Sequence, residues 1–373
     1  MEFKISVHEL QQIFNKLNGI VKPSEDTVIG MVCIEAADKL LFKATNGVLS
    51  IIIESKTANI IEQGTILFKF RDLKGYISKF TAYNETVGTK EFHFIVNRTG
   101  LVKAKTFFEG GKYSYRKLHF DVYNSNMFPL IKIVKQADLV LNSSILKDGI
   151  IKTLNLVNPM EMRKALSSLY IKIYNDKIIF VGADGVRLAE YIISLQTNMP
   201  ERIVLFSYSL ANILRNLLDL DQQVFIKFGS KYAYFKFDKI FLVGSLIINE
   251  EYPDYKQILY NTDKKYRFPR SAVYDTVKTI SDTFNAEDDN RIIFKFNGNR
   301  LIVANERVET EHELDYTVNE EIIFAVNGVL LESVLQYFMY DVIDICINND
   351  LKFIVFKSEN ENYTTLISTL RMI

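Results

Sequence analysis

The side chains best equipped for chemistry in this chain are a set of carboxylates, four histidines and two cysteines. Asp184, Glu190, Asp341 and Asp344 could in principle ligate a metal, but no His or Cys accompanies them at ligand spacing. His8, His93, His119 and His312 are scattered, with no HxxxH or CxxC spacing, so no metal site is expected. Cys33 and Cys346 lie in apolar, strand-like runs and read as buried thiols of a reducing compartment. No Gly-rich phosphate loop and no GxSxG elbow occurs, so neither catalysis nor a cofactor is expected. Asp184 has a simpler use. With Gly185 it forms a hairpin turn pair between the strands Ile178 to Val181 and Val186 to Ile192.

The elements that carry this turn recur. The first pass has a strand from Phe3 to Ile5 and a helix whose Ser6 and Glu9 have capping-box spacing. Val7, Leu10, Phe14 and Leu17 give that helix its apolar stripe. Strands follow at Val28 to Glu35, Leu40 to Ala44 and Val48 to Glu54, then a helix from Phe70 to Phe80. In the second pass Asn142 to Leu154 is a helix capped by Ser143 or Ser144, and Tyr208 to Leu218 is its partner. In the third, Arg270 to Phe284 and Gly328 to Met339 are helical. There Ile292 to Phe296 and Leu301 to Ala304 are strands about an Asn297-Gly298 turn. Asp38 to Asp176 and Gly47 to Gly185 are both 138 residues apart, while Asp176 to Gly298 and Asp184 to Glu306 are both 122 apart. A common offset at two landmarks, with the same helix order around them, signals a repeat of domain size. The expected fold class is α+β, with two helices on antiparallel sheet in each of three domains, 1–132, 133–262 and 263–373.

Bulk properties fit this division. A chain of 373 residues with 48% apolar content exceeds one ordinary core. Basic and acidic residues balance at 45 each, so any attraction for nucleic acid must come from local segregation of charge. No apolar run is long enough to span a membrane and Met1-Glu2-Phe3-Lys4 lacks a signal-peptide pattern, so a cytoplasmic protein without membrane association is expected.

Three short motifs now gain weight from their order. Ala183-Asp184-Gly185-Val186-Arg187-Leu188-Ala189 is similar to the TDGHRLA turn of the bacterial-type sliding clamp, the DNA polymerase III beta subunit. Tyr252-Pro253-Asp254-Tyr255 is similar to that family's FPDY segment, and Leu370-Arg371-Met372-Ile373 to its MRL terminus. The resemblance covers the whole chain and implies the DNA clamp fold. It further implies a processivity factor: a head-to-tail homodimeric ring, helices inside and strands outside, that encircles double-stranded DNA without sequence preference. Such a ring tethers a replicative DNA polymerase, and a clamp loader and other partners dock through short peptides.

Carried over by position, the resemblance places a partner-peptide groove at Leu166, Ala183, Gly185, Val186, Arg187, Leu188, Pro253, Gln257, Ile258, Leu366, Ser368, Thr369, Leu370, Arg371 and Met372. Val186 stands where the family has histidine, Ala183 where it has threonine and Gln257 where it has arginine. Ser368-Thr369 replaces a Met-Pro pair. A more apolar mouth with shifted peptide preference is expected. Only the middle copy of the turn has Arg187-Leu188; the first has Leu49-Ser50.

For DNA the expected contacts are Lys16, Lys22, Arg71, Lys74, Lys147, Arg163, Arg215, Arg270 and Lys278, a patchy set of basic positions on helix faces and loops. The family's aromatic contact pair aligns with Lys164 and Ala165, so stacking is not expected. Tyr113 and Tyr115 match one side of the dimer interface, and Ile280 and Phe284 the other. A diverged clamp-like protein that binds polymerase peptides without tethering to DNA is the alternative reading.

Overall fold

The computed structural model describes residues 1–22, 27–85, 91–96, 101–107, 113–134, 136–286, 289–348, 350–359 and 361–371, with backbone alone for 79–85, 101–107 and 113–119. Among them the α-helices are α1 (Val7–Asn18), α2 (Phe70–Glu85), α3 (Ser143–Leu154), α4 (Tyr208–Leu217), α5 (Lys256–Tyr260), α6 (Arg270–Ser281) and α7 (Gly328–Leu335). Helix α1 buries Val7, Leu10, Ile13, Phe14 and Leu17 on one face, as its spacing requires. Its expected capping box does not form. Ser6 is the N-cap without a side-chain bond, because Glu9 accepts instead from Ser55 Oγ at 2.9 Å and from the Lys56 and Thr57 amides. Helix α3 is capped by Asn142, whose Oδ1 accepts from the Ser144 amide at 2.9 Å, and not by either serine. Helices α6 and α7 stop short of Phe284 and Met339, and α5 was not foreseen.

The chain packs as two compact units, Met1–Ser144 with Ile213–Leu246 and Ile145–Asn212 with Ile247–Ile373. In the first unit one antiparallel sheet runs, in spatial order, Val122–Tyr123, Gly64–Lys69, Met31–Ala36, Leu40–Thr45, Leu49–Glu54, Ile240–Ile247, Tyr232–Phe237, Gln223–Phe228 and Leu139–Asn142. A second sheet orders Asn59–Glu62, Glu2–Ser6, Glu91–Val96, Leu101–Phe107 and Tyr113–His119. Phe14 of α1 stacks on Phe70 of α2 at 5.5 Å between ring centres, joining the two helices over this unit's core.

The second unit repeats the arrangement. Its sheet runs Arg202–Ser207, Ser168–Ile173, Lys177–Ala183, Arg187–Ser194, Tyr363–Ser368, Phe353–Lys357, Val342–Ile347 and Lys264–Pro269. The long strands Arg291–Ala304 and Glu309–Asn327 pair beside it. Phe268, Phe294, Phe296, Phe324 and Tyr363 fill the core under α6 and α7, with Phe294 stacked on Phe324 at 5.1 Å. Asn297-Gly298, expected as a hairpin turn between two strands, lies inside the single element Arg291–Ala304. The register shifts on both sides of Gly298, whose φ of +60° lets the strand kink there.

One turn recurs three times. Asn46 Oδ1 accepts from the Val48 and Leu49 amides, Asp184 Oδ1 from Val186 and Arg187, and Asn305 Oδ1 from Arg307 and Val308. Each adds the same backbone bond, to the carbonyls of Leu49, Arg187 and Val308. This corrects the third register by one residue, since the counterpart of Asp184 is Asn305 and not Glu306. A side-chain oxygen that takes two consecutive amides fixes the turn whatever follows it.

Close packing of helix on sheet in the second unit depends on glycine. A Cβ at Gly182 would lie 1.9 Å from the Thr153 carbonyl oxygen at the end of α3, and one at Gly149 within 2.6 Å of the Phe180 ring. Gly182→Ala is expected to lower stability by about 2–3 kcal/mol by forcing α3 off the strand, read as an earlier urea midpoint with unchanged slope.

Candidate partner-binding groove

The groove expected from sequence is built on the middle copy of the turn. Gly185, at φ +87°, closes the turn, and Val186 is left 43% exposed at its tip. Arg187 does not face outward. Its Nε and Nη2 donate to Asp184 Oδ2 at 2.9 and 2.7 Å, and Nη1 donates to Ser333 Oγ of α7 at 2.5 Å. Its side chain is 12% exposed and that of Asp184 16%, so this is a shielded, two-pronged ion pair. The guanidinium holds the turn to α7.

Beyond the turn, Arg187–Ser194 pairs with Tyr363–Ser368, with Leu188 opposite Leu366. The Ser368 amide and Oγ both donate to the Val186 carbonyl, at 2.8 and 3.0 Å. Thr365 Oγ1 donates to the Leu188 carbonyl at 2.8 Å in the interior. Leu166, Ala183, Leu188 and Leu366 thereby meet in one buried apolar cluster with Tyr170, Tyr255 and Leu259. Four of the residues expected in the groove thus share one cluster. Pro253 and Gln257 are exposed, and Gln257 donates to Asp254 Oδ2 at 3.1 Å. Ile258 is 38% exposed, and its neighbour Leu259 takes the buried position. Thr369 and Leu370 are half-buried, bonded through their amides to Lys352 and Ala325 carbonyls. Arg371 is exposed, and its carbonyl accepts from Arg291 Nη1 at 2.8 Å. Met372 lies outside the described residues.

The sequence offers Glu190 only as one candidate carboxylate among several and gives no sign of its tyrosine partners. Glu190 is 1% exposed and accepts from Tyr255 Oη at 2.5 Å and from the Tyr260 phenol. Burial, with Glu190 beside them, pushes both phenols well above their ordinary range. Tyr255 and Tyr260 flank the single-turn helix α5, so this triad pins the segment carrying Ile258 to the strand that leaves the signature turn. The PDY motif was the available signal for Tyr255. Asp344 is also buried, between Lys265 at 2.9 Å and Arg267 at 3.1 Å. These acids are held by tyrosines or cations, and among the described residues no three His, Cys, Asp or Glu gather as a metal cage. Cys33 and Cys346 are free and buried, and burial lifts the Cys33 thiol to about 11.

The other predicted residues divide. Lys22, Arg71, Arg163 and Lys278 are exposed, with Arg163 Nε 3.2 Å from Glu161. Lys16, Lys74, Lys147, Arg215 and Arg270 are half-buried. Of these Lys16 lies 4.0 Å from Asp219, Lys74 donates to Asn18 at 2.7 Å, and Arg270 rests on the Tyr274 ring at 4.8 Å. Lys164 is exposed and Ala165 buried. For the dimer, Ile280 is fully buried in the second unit's core and so is withdrawn as a surface contact, while Phe284 packs at that core's edge. Tyr113 and Tyr115 lie on a described strand, but their side chains lie outside the described residues.

Two substitutions separate these roles. Asp184→Ala strands a shielded arginine and two amides, and is expected to cost about 3 kcal/mol in chemical denaturation. Glu190→Ala is expected to leave the fold intact but speed amide exchange across Tyr255 to Tyr260 at least tenfold, measured by hydrogen–deuterium exchange.

Comparison with known proteins fits the geometry. Residues 140–254 match the family model for the DNA polymerase III beta subunit, central domain. The beta sliding clamp of Chlamydia muridarum is 24% identical over 359 residues, which is 94% of this chain and 93% of that protein. That of Staphylococcus epidermidis is 23% identical over 265 residues, 66% of this chain and 67% of that protein. The DNA polymerase sliding clamp of Bacillus subtilis superposes with TM-score 0.86 at 15% identity, covering all of both chains. The Helicobacter pylori beta clamp bound to a DNA ligase peptide does so with TM-score 0.83 at 13% identity, again over both whole chains. Residues 140–254 thus match the central domain of the DNA polymerase III beta subunit family, and the chain has the clamp fold along its whole length.

Proposed function

We propose that this protein is a DNA sliding clamp, a non-catalytic processivity factor that closes around duplex DNA as a head-to-tail homodimer and tethers a polymerase. One observation carries the reading: a pairing rule used twice within the chain leaves two complementary edges unused. The strand after the first turn, Leu49–Glu54, pairs with Ile240–Ile247, the last strand of the middle segment. The strand after the second turn, Arg187–Ser194, pairs with Tyr363–Ser368, the last strand of the third. The strand after the third turn begins at Glu309, and Tyr113–His119 is the last long strand of the first segment, followed only by the two-residue strand Val122–Tyr123. Among the described residues neither has a partner of that kind. Two copies satisfy both edges reciprocally, which also removes exposed strand edges prone to misassociation. The same rule supports three domains, at 1–132, 133–262 and 263–373.

Encirclement replaces affinity, so weak contacts to phosphate from Lys22, Arg71, Lys278 and their neighbours suffice. The cluster of Leu166, Ala183, Leu188 and Leu366, with Val186 and Ile258 exposed beside it in the sequence, is suited to apolar anchors of short peptides from a polymerase, a clamp loader or a ligase. Gly185, Pro253, Gln257 and the segment from Ser368 to Met372 complete that groove. The setting is the bacterial cytoplasm.

Light scattering is expected to give twice the 43.2 kDa chain mass at micromolar concentration. Loaded onto nicked circular DNA, the protein is expected to stay bound through gel filtration and to leave once the circle is cut. A monomeric mass, or equal loss from circular and linear DNA, would sink this reading. A Val186→Glu change is expected to weaken binding of a clamp-binding peptide about tenfold or more without altering DNA retention, because it places charge at an apolar mouth.

A further inference from the structure

The frame that forms the groove in the second unit is built again in the first, with different chemistry on it. There Ser245 plays the part of Ser368: its amide and Oγ donate to the Val48 carbonyl at 3.0 and 3.1 Å. Val48 is 43% exposed, as Val186 is. Cross-strand register extends the match. In the second unit the row Leu188, Leu366, Val355, Cys346 runs across four strands as an apolar floor. The matching row in the first unit is Ser50, Val243, Tyr234, Lys227. The next row, Glu190, Thr364, Lys357, Asp344 in the second unit, becomes Ile52, Phe241, Lys236, Phe225.

Where Tyr252 to Tyr260 and α5 follow the YPDY motif in the second unit, the first unit has Phe128-Pro129 followed by non-helical chain. Residues Lys132, Ile133, Val134, Gln136 and Ala137 of that chain form one wall of a cavity of about 130 Å³, and Phe225, Lys227, Tyr234, Lys236, Phe241 and Val243 are among its other lining residues. That volume is well below the roughly 300 Å³ at which whole small-molecule sites begin, so it suits one anchoring side chain. Its rim is basic. Lys132 and Lys236 are exposed, Lys236 lies 5.5 Å from the centre of the Phe241 ring, and Lys227 is paired with Asp138. Phe225 is 39% and Ile133 47% exposed.

We propose that this cavity is a second docking groove, which accepts a linear protein segment carrying an aliphatic or aromatic anchor among acidic residues. The anchor enters between Phe225, Tyr234 and Val243, and carboxylates on either side of it meet Lys132 and Lys236. Charge complementarity selects this occupant: the lining residues carry three lysines, one of them paired with Asp138, and no acid, whereas the matching positions of the second unit, Asp344, Cys346, Val355, Lys357, Thr364 and Leu366, carry one acid and one base. The two grooves thus sort partners by charge on one scaffold.

The test uses the full-length protein and a fluorescein-labelled peptide, Asp-Glu-Asp-Leu-Phe-Asp-Glu, read by anisotropy at low salt. Binding is expected to fall at least tenfold with Lys236→Glu and with Lys132→Glu, which change opposite walls at exposed positions. Val186→Glu, in the other groove, is expected to leave it unchanged, and the peptide with lysine at every acidic position is expected not to bind. The proposal is overturned by an absence of binding, by indifference to both lysine changes, or by a loss seen only with Val186→Glu. DNA retention is scored separately, so failure here leaves the clamp reading standing.

Discussion

The structure depends on one small constraint, a side-chain oxygen that captures two consecutive amides. Asn46, Asp184 and Asn305 each do this, and each sends the chain into the strand that must meet another segment. Without the constraint the direction of that strand is loose, and pairing across segments has no fixed register. With it, Val48 and Val186 present their carbonyls to Ser245 and Ser368 in the same way. The sheet of each unit is thereby continuous across the boundary between two repeats.

The middle copy adds a second restraint. Asp184 is the only one of the three that is charged, and it alone has an arginine three residues on. A carboxylate serves two amides with one oxygen and the guanidinium with the other, which an asparagine cannot do equally well. Arg187 then reaches Ser333, tying the turn to α7. The resemblance of this segment to a signature motif thus has a physical basis in the fold itself. Of the residues on either side of the committed arginine, Val186 stays exposed and Leu188 is buried in the apolar cluster.

Much of this was legible in the sequence because it is local. Apolar spacing located α1, α3, α4 and α6, and the Asp-Gly and Asn-Gly pairs located turns. The errors arose where a local signal was outbid by a distant partner. Ser6 and Glu9 have perfect capping-box spacing, yet three donors of the Ser55 to Thr57 loop claim the carboxylate. Asn297-Gly298 looks like a hairpin turn, but it falls inside one long element whose pairing with Glu309–Asn327 spans it. Ile280 matches an interface position of the family, yet its place on the apolar stripe of α6 with Val273 and Val277 points it inward. The third repeat was read one residue out because it lacks the glycine, whereas its asparagine was the true landmark.

Glu190 shows what no local pattern could supply. It sits two residues past Leu188, in a strand whose neighbours are apolar, and a lone carboxylate there would be costly to bury. Its two oxygens are instead met by phenols from Tyr255 and Tyr260, more than sixty residues away in the chain. The equivalent position in the first unit is Ile52, facing Phe241, and among the described residues no helix like α5 follows Phe128-Pro129 before Ser143. The acid and the helix therefore belong together: a carboxylate on the sheet is tolerated where a helical turn brings donors down onto it, and that turn is held in place by the carboxylate. In the first unit an apolar residue stands at that position, and Lys132, Ile133 and Val134 line a cavity on that side of the sheet. Residue and wall thus change together in an otherwise common backbone frame: Glu190 goes with helix α5, and Ile52 with a cavity walled by Lys132, Ile133 and Val134.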